Sequence, residues 1–240
     1  MEKLQRIRMM ACDVDGTLTG PGHKLSLEAA SALRELEEAG VPVCLISGNS
    51  LPVLYALSVY LGLTGPVVAE NGAIVYDRLL GRKLTLATPL DKEAVAEALK
   101  KRFNLEPTFQ HPYREVDLAF KRRSISLSEV QGYLEELGYK VRVTDSGFAI
   151  HVSPPEVSKS RGLAEACKLR GVALSEVAAV GDSQTDIDML KAVGVPLAIA
   201  NTPPEAKEIA ALTVEEPNGR GVAKLAKMIA EAHTRGVKLS

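Results

Sequence analysis

Met9 to Asp13 is a short apolar run that ends on an acid, the pattern of a strand buried on both faces. A helical pattern follows from Ser26 to Ala39, with Ser26 placed as its N-cap and Gly40 just past its end. Val41 to Ile46 reads as a second buried strand, Leu51 to Leu61 as a second helix, and Pro66 to Ala69 as a third strand. Strands alternating with helices at this spacing predict a parallel sheet covered on both faces.

The rhythm changes near Arg82. Asp91 to Phe103 reads as a helix, Glu115 to Lys121 as a strand, and about Ser128 to Leu137 as another helix. Tyr139 to Thr144 and Phe148 to Val152 alternate around Asp145-Ser146-Gly147, a hairpin pattern. Pro154-Pro155 closes this α+β stretch. The earlier rhythm then resumes, with a helix from Ser158 to Leu169, a strand over Val177 to Val180, a helix over Thr185 to Ala192 and a strand over Pro196 to Ala200. The expected fold class is α/β: a Rossmann-like parallel sheet core with helices on both faces, formed by residues 1–81 and 154–240, plus a smaller α+β domain inserted as residues 82–153.

The composition suits such a fold. Hydrophobic residues make up 46% of the 240 residues and charged residues 25%, enough for a sizeable core and a soluble surface. Aromatics are only 4%, so aliphatic side chains must fill that core. With 29 basic and 30 acidic residues the net charge is −1, which argues against general nucleic-acid binding. Cys12, Cys44 and Cys167 form no CxxC pair and no zinc pattern, and read as small buried hydrophobes. Met1 to Met10 is too polar for a signal peptide and no run reaches membrane-spanning length, so a cytoplasmic protein without a membrane partner is expected.

The sharpest chemical feature is Asp13-Val14-Asp15-Gly16-Thr17. Alternate strand residues share a face, so two acids at a strand's carboxyl end can point the same way, into the region where open parallel sheets bind ligands. Gly16 lets the chain leave abruptly. Spacing alone equally allows a turn whose acids cap the next segment. Ser47-Gly48-Asn49 follows the strand ending at Ile46 and offers a hydroxyl and N–H groups suited to phosphate oxygens, though it is also ordinary turn chemistry. Lys159 stands in the first turn of a helix, mildly opposed by the helix dipole, a cost offset where the ammonium meets carboxylates; a solvated surface lysine is the alternative. Asp182 ends the strand Val177 to Val180 and Asp186 lies four residues on, a pair able to share a hard cation. Asp188 points elsewhere on that helix and stays outside the site, and Lys168 is placed too late on its own helix.

Taken together, the Asp-x-Asp-Gly-Thr turn, Ser47, Lys159 and Gly181-Asp182-Ser183-Gln184-Thr185-Asp186 resemble, in order, the four motifs of the haloacid dehalogenase superfamily of phosphotransferases. The resemblance covers nearly the whole chain, and the insert is similar in position to the C2-type cap of that superfamily. Gly65 to Gly72 looks like the corresponding stretch of archaeal-type phosphoglycolate phosphatases and their sugar-phosphatase relatives. The resemblance implies that Asp13 attacks phosphorus and forms an aspartyl-phosphate. Asp15 then acts first as general acid and afterwards as general base. Ser47, Gly48, Asn49 and Lys159 bind the phosphate, and Asp13, Asp15, Asp182 and Asp186 hold Mg2+. It implies a small phosphorylated metabolite as substrate, 2-phosphoglycolate by preference, with a broad sugar-phosphate phosphatase or a phosphomutase as alternatives. A catalytically silent binder is disfavoured because Asp13, Asp15, Lys159 and Asp182 are all present. A monomer or homodimer is expected.

Some positions stay open at this level. Thr185 stands where such families usually carry Asn; it keeps a hydroxyl able to orient Asp186 or a metal-bound water. Asn71 either borders the site or forms a plain Asn-Gly turn. Arg114 and Lys121-Arg122-Arg123 either bind a substrate carboxylate or make a solvated basic edge. His23, His111, His151 and His233 are scattered, show no metal-ligand spacing, and none is required by the chemistry.

Overall fold

In the computed structural model, which describes residues 2–237, a short helix α1 (Glu2–Gln5) leads into β1 (Met9–Asp13), buried along its whole length. The Ser26 hydroxyl accepts the Ala29 N–H at the start of α2 (Leu27–Glu38), and Gly40 beyond its end has a φ of +86°. β2 (Val43–Ile46), α3 (Leu51–Leu61) and β3 (Val67–Ala69) continue the alternation. Two strands not predicted by the hydrophobic pattern follow, β4 (Ile74–Asp77) and β5 (Arg82–Thr85), both antiparallel to their neighbours. β5 is a mostly exposed edge strand in which Leu84 alone is apolar, so no apolar run marks it.

The next stretch holds α4 (Lys92–Phe103), β6 (Leu118–Lys121), α5 (Leu127–Glu136), β7 (Arg142–Asp145) and β8 (Ala149–Ser153). α5 starts ahead of Ser128 because Ser126 caps it, accepting from the Glu129 N–H. The remainder forms α6 (Lys159–Arg170), β9 (Val177–Val180), α7 (Ile187–Ala192), β10 (Val195–Ala198), α8 (Pro204–Ile209), β11 (Leu212–Thr213) and α9 (Asn218–Val237).

One sheet runs β11–β10–β9–β1–β2–β3–β4–β5, parallel from β11 through β3. Along β1, Met10 and Cys12 face a core shared with α2 and α9, while Met9 and Ala11 face one shared with α6 and α7. Covering both faces is why β1, β2 and β9 carry continuous apolar runs. All three cysteines are buried and free. The chain moves from β1 to β2 and β3 on one side and later returns to β9 on the other. That reversal opens a crevice at the carboxyl ends of β1 and β9, where α/β sheets bind ligands.

A second, antiparallel sheet, β6–β8–β7, has its own core with α4 and α5, centred on Phe120, Leu99, Val130 and Ile150. Glu70, fully buried at the end of β3, ties this unit to the large sheet. Its carboxylate accepts the N–H groups of Glu115 (2.9 Å), Val116 (2.8 Å) and Asp117 (2.9 Å). Among the described residues, no helix is long and apolar enough to cross a membrane.

Candidate active site

Asp13 is the last residue of β1 and is 4% exposed. Lys159, equally buried, donates from Nζ to Asp13 Oδ1 at 2.7 Å and to Asp186 Oδ1 at 2.6 Å. The lysine reaches this point because α6 begins hard against the turn after β3. A β-carbon on Gly72 would lie 1.9 Å from the Ser158 carbonyl oxygen, and Gly162 packs on Gly72 in turn. Two glycines in register thus remove the bulk that would keep the first turn of α6 away from the sheet.

Asp186 is fixed from its other oxygen, which accepts from the Ser183 N–H (2.9 Å) and hydroxyl (2.7 Å). Among the described residues the Thr185 hydroxyl meets only that of Ser183, so Ser183 rather than Thr185 orients Asp186. Asp182 accepts from the Thr17 hydroxyl at 2.7 Å and from the Asn201 amide at 3.2 Å. Asp188 lies apart: it accepts from Ser160 and ties α7 to the start of α6.

Burial pushes the Asp13 carboxyl well above its ordinary range; Lys159 opposes this, while Asp186 and Asp182 add to it. Burial likewise pushes Asp182 up to about 6, against the Thr17 hydrogen bond and with the charge of Asp186. For Lys159, burial alone would lower the pKa, but Asp13 and Asp186 outweigh it and raise it. The common cause is a surplus of negative charge in a place from which water is largely excluded.

Asp15 sits in the turn beyond β1, half-buried, and opens on the same cavity. Its Oδ2 accepts from the Asn49 side-chain amide at 2.6 Å and its Oδ1 pairs with His23 Nδ1 at 2.9 Å. Ser47 Oγ accepts from the Asn49 N–H (3.1 Å) and amide (2.9 Å), which leaves the hydroxyl proton free to donate. Ser47, Gly48 and Asn49 therefore line one wall of a cavity of about 520 Å3 whose floor carries Asp13, Asp15 and Lys159.

The opposite wall comes from the smaller unit. Gln110 donates to Asn49 Oδ1 at 2.6 Å and accepts the Ser50 N–H at 2.8 Å. Arg114, 4% exposed, donates to the Gly48 carbonyl at 2.6 Å and to Asp117 Oδ2 at 3.2 Å. Asp117 Oδ2 also receives Asn71 (2.9 Å) and His151 Nδ1 (2.7 Å). Asn71 combines both readings open to it: its φ of +56° makes the turn, and its side chain lines the cavity. Arg114 is a buried clamp rather than a solvated edge. Lys121, Arg122 and Arg123 are exposed and spend their charge on Glu106, Asp145 and the Asn104 carbonyl, away from the cavity.

The sequence pattern did not single out His23, Gln110, Asp117 or His151. His23 reaches back to Asp15 within the loop after β1, Asp117 and His151 meet through the pairing of β6 with β8, and Gln110 meets Asn49 only because the small unit docks on the large one. Gln110 and Asp117 carry no local signal.

Asp13, Asp182 and Asp186 each offer an oxygen within 4.8 Å of the others. Three carboxylates beside one ammonium leave a net charge of about −2, which one divalent cation balances, and an all-oxygen donor set suits Mg2+. The residues present fit such an ion. The Asp15 carboxylate lies outside this group, held by Asn49 and His23.

Residues 10–111 and 115–225 match the family model of the haloacid dehalogenase-like hydrolases. The chain is 36% identical to the phosphoglycolate phosphatase of Metallosphaera sedula over 93% of its own length and 99% of that protein's. It is 34% identical to phosphoglycolate phosphatase 1 of Saccharolobus solfataricus, over 97% and 100% of the two chains. Its fold superposes on the crystal structure of Thermoplasma acidophilum 0175 with a TM-score of 0.86 at 26% identity, covering 94% of this chain and 99% of that one.

Proposed function

The chain belongs to the haloacid dehalogenase-like hydrolases, and we propose that it is a magnesium-dependent phosphatase whose preferred substrate is 2-phosphoglycolate, cleaved to glycolate and phosphate. One observation carries the reading. A buried carboxylate at the end of the central strand, Asp13, is held by Lys159, while a second acid two residues on, Asp15, opens on the same cavity. Nucleophile and proton donor would then share one floor, which supports the reading.

In this reading Asp13 attacks phosphorus and displaces the alcohol oxygen, which takes a proton from Asp15; the result is an aspartyl-phosphate and a free alcohol. A water then attacks the same phosphorus, Asp15 takes its proton, and the Asp13 carboxylate is released with inorganic phosphate. Asn49 and His23 fix the Asp15 carboxylate in place for both transfers. Lys159 and the Ser47 hydroxyl offset the charge of the phosphate oxygens. A Mg2+ ion held by Asp13, Asp182 and Asp186 would supply further neutralisation of the phosphate charge.

Residues 82–153 serve in this reading as a C2-type cap, with β5 as the stem by which the chain leaves the core sheet and with Glu70, Arg114 and Gln110 seating the cap on the core. The test is phosphate release from a panel of phosphorylated metabolites with Mg2+ and with a chelator. Magnesium-dependent release with phosphoglycolate ahead supports the reading. Even release across sugar phosphates retires the preferred substrate, and isomerised sugar phosphates would point to a mutase.

A further inference from the structure

The cap-side wall of the cavity is formed by Thr108, Gln110, Arg114, Ser146 and His151 with apolar neighbours, and none of its described residues is acidic. Its cation, Arg114, is already committed. Its terminal nitrogens are bound to the Gly48 carbonyl and to Asp117. His151 is different. Its Nδ1 meets Asp117 Oδ2 at 2.7 Å and lies 3.0 Å from the Asn71 amide nitrogen, which donates to the same oxygen; because an ionised carboxylate only accepts, Nδ1 carries a proton.

That hydrogen bond turns the far edge of the ring toward the Ser47–Asn49 loop. A β-carbon on Gly48 would come within 3.0 Å of His151 Cε1 and 3.2 Å of Nε2, so the glycine makes room for the ring. Nε2 has no hydrogen-bond partner among the described residues, and His151 lines the cavity although the residue is only 3% exposed. A buried imidazole fixed on one nitrogen, with the other directed into a ligand cavity, is a built recognition group rather than a packing residue.

We propose that His151 is a specificity-determining residue: its ring, carrying a proton on both nitrogens in the complex, donates from Nε2 to the carboxylate of a small phosphorylated 2-hydroxy acid while the Ser47–Asn49 loop and Lys159 hold the phosphate. The inference rests on the phosphatase reading and deepens it. In such a substrate the carboxylate is one carbon from the ester oxygen. With the phosphate on the loop, it projects toward the cap wall, where Nε2 is free and the substrate carboxylate would hold the protonated ring from the side opposite Asp117, whose own charge Arg114 offsets. Asp117 and Arg114 act as positioning residues, since they hold the ring and the Gly48 carbonyl respectively.

The test uses the Asp13→Asn protein, in which binding is read without turnover, and two ligands of nearly equal size: 2-phosphoglycolate and the neutral-alcohol analogue 2-hydroxyethyl phosphate, each titrated calorimetrically with Mg2+ present. Phosphoglycolate should bind more tightly. Adding His151→Gln should weaken it by about tenfold or more, the scale of one charge-assisted hydrogen bond, and move 2-hydroxyethyl phosphate by less than about threefold. Equal losses for both ligands, or no loss, would overturn the proposal. In the Asp13→Asn protein with His151 intact and histidine 15N-labelled, phosphoglycolate should shift the His151 Nε2 resonance and 2-hydroxyethyl phosphate should not; identical shifts would also overturn it. This result decides the matter even where the Gln variant is poorly folded. Phosphate release by the unaltered enzyme without carboxylate-selective binding sinks this inference alone, whereas selective binding without phosphate release from any compound sinks the phosphatase reading.

Discussion

Gly16 lies so close to Asp182 that a β-carbon at position 16 would fall 2.3 Å from the Asp182 carboxylate oxygen. The contact joins the turn after β1 to the end of β9, and Thr17 reinforces it with a hydrogen bond to the same carboxylate at 2.7 Å. Gly16 also has a φ of +84°, which an L side chain adopts only at a cost of about 1–2 kcal/mol.

Gly16→Ala should therefore displace Asp182 and weaken metal binding more than it weakens the fold. We expect about 1–2 kcal/mol lost in denaturant unfolding and at least a tenfold higher Mg2+ concentration for half-maximal activity. A variant with unaltered Mg2+ dependence would mean that Asp182 is not a ligand.

Lys159→Met removes the one ammonium from a buried group of three carboxylates. Breaking such a pair on one side costs about 3–5 kcal/mol. Activity should fall by at least a hundredfold, yet divalent-cation affinity should hold or rise, because the site becomes more negative. Thermal unfolding with and without Mg2+ checks this: the melting temperature should fall more without the ion than with it. Equal falls would deny that the lysine and the cation share one charge cluster.

The raised pKa of Asp182 fixes a direction with pH. Its carboxyl sits at about 6 in the metal-free protein, so below that pH a cation must displace a proton to bind. Apparent Mg2+ affinity should decline as the pH drops from 7 toward 5, and binding near pH 6 should release protons into a weakly buffered solution. Affinity that is flat across this range would contradict the cluster's electrostatics.

Much of this site is legible in the sequence because each functional acid of the core ends an apolar strand or opens the helix after one. Asp13 closes β1, Ser47 follows β2, and Asp182 follows β9, so local pattern and chemistry coincide. The cap side is not legible in this way. His151 on β8, Arg114 in the loop before β6 and Asn71 on the core all converge on one carboxylate oxygen of Asp117, which directly precedes β6. Nothing local announces that. The edge strand β5 escapes notice because its exposed positions carry Arg82 and Lys83 rather than an apolar alternation. α9 is different: Val222, Leu225, Ala226 and Ile229 recur at helical spacing and are fully buried against the core. Its spacing is legible in the sequence, although the helix carries none of the motif residues.

Glu70→Gln tests how the cap is seated. The Glu70 carboxylate accepts three backbone N–H groups of the cap, and an amide would turn its own N–H groups toward at least one of them. Leaving a buried donor unsatisfied costs about 1–3 kcal/mol. We expect that loss in stability together with a raised KM and a smaller change in kcat, read from steady-state kinetics. A fall in kcat alone would place the effect on the chemistry instead of on the cap.

The central claim is that Asp13 carries the phosphoryl group, and acid-quenched single turnover with mass mapping of the peptide around Asp13 tests it most directly. On the panel substrate turned over fastest, the account predicts a transient phosphoryl adduct on Asp13 that forms and decays at rates consistent with turnover and is absent from Asp13→Asn, which releases no phosphate. Full phosphate release with no adduct at Asp13, or activity retained by Asp13→Asn, would contradict it.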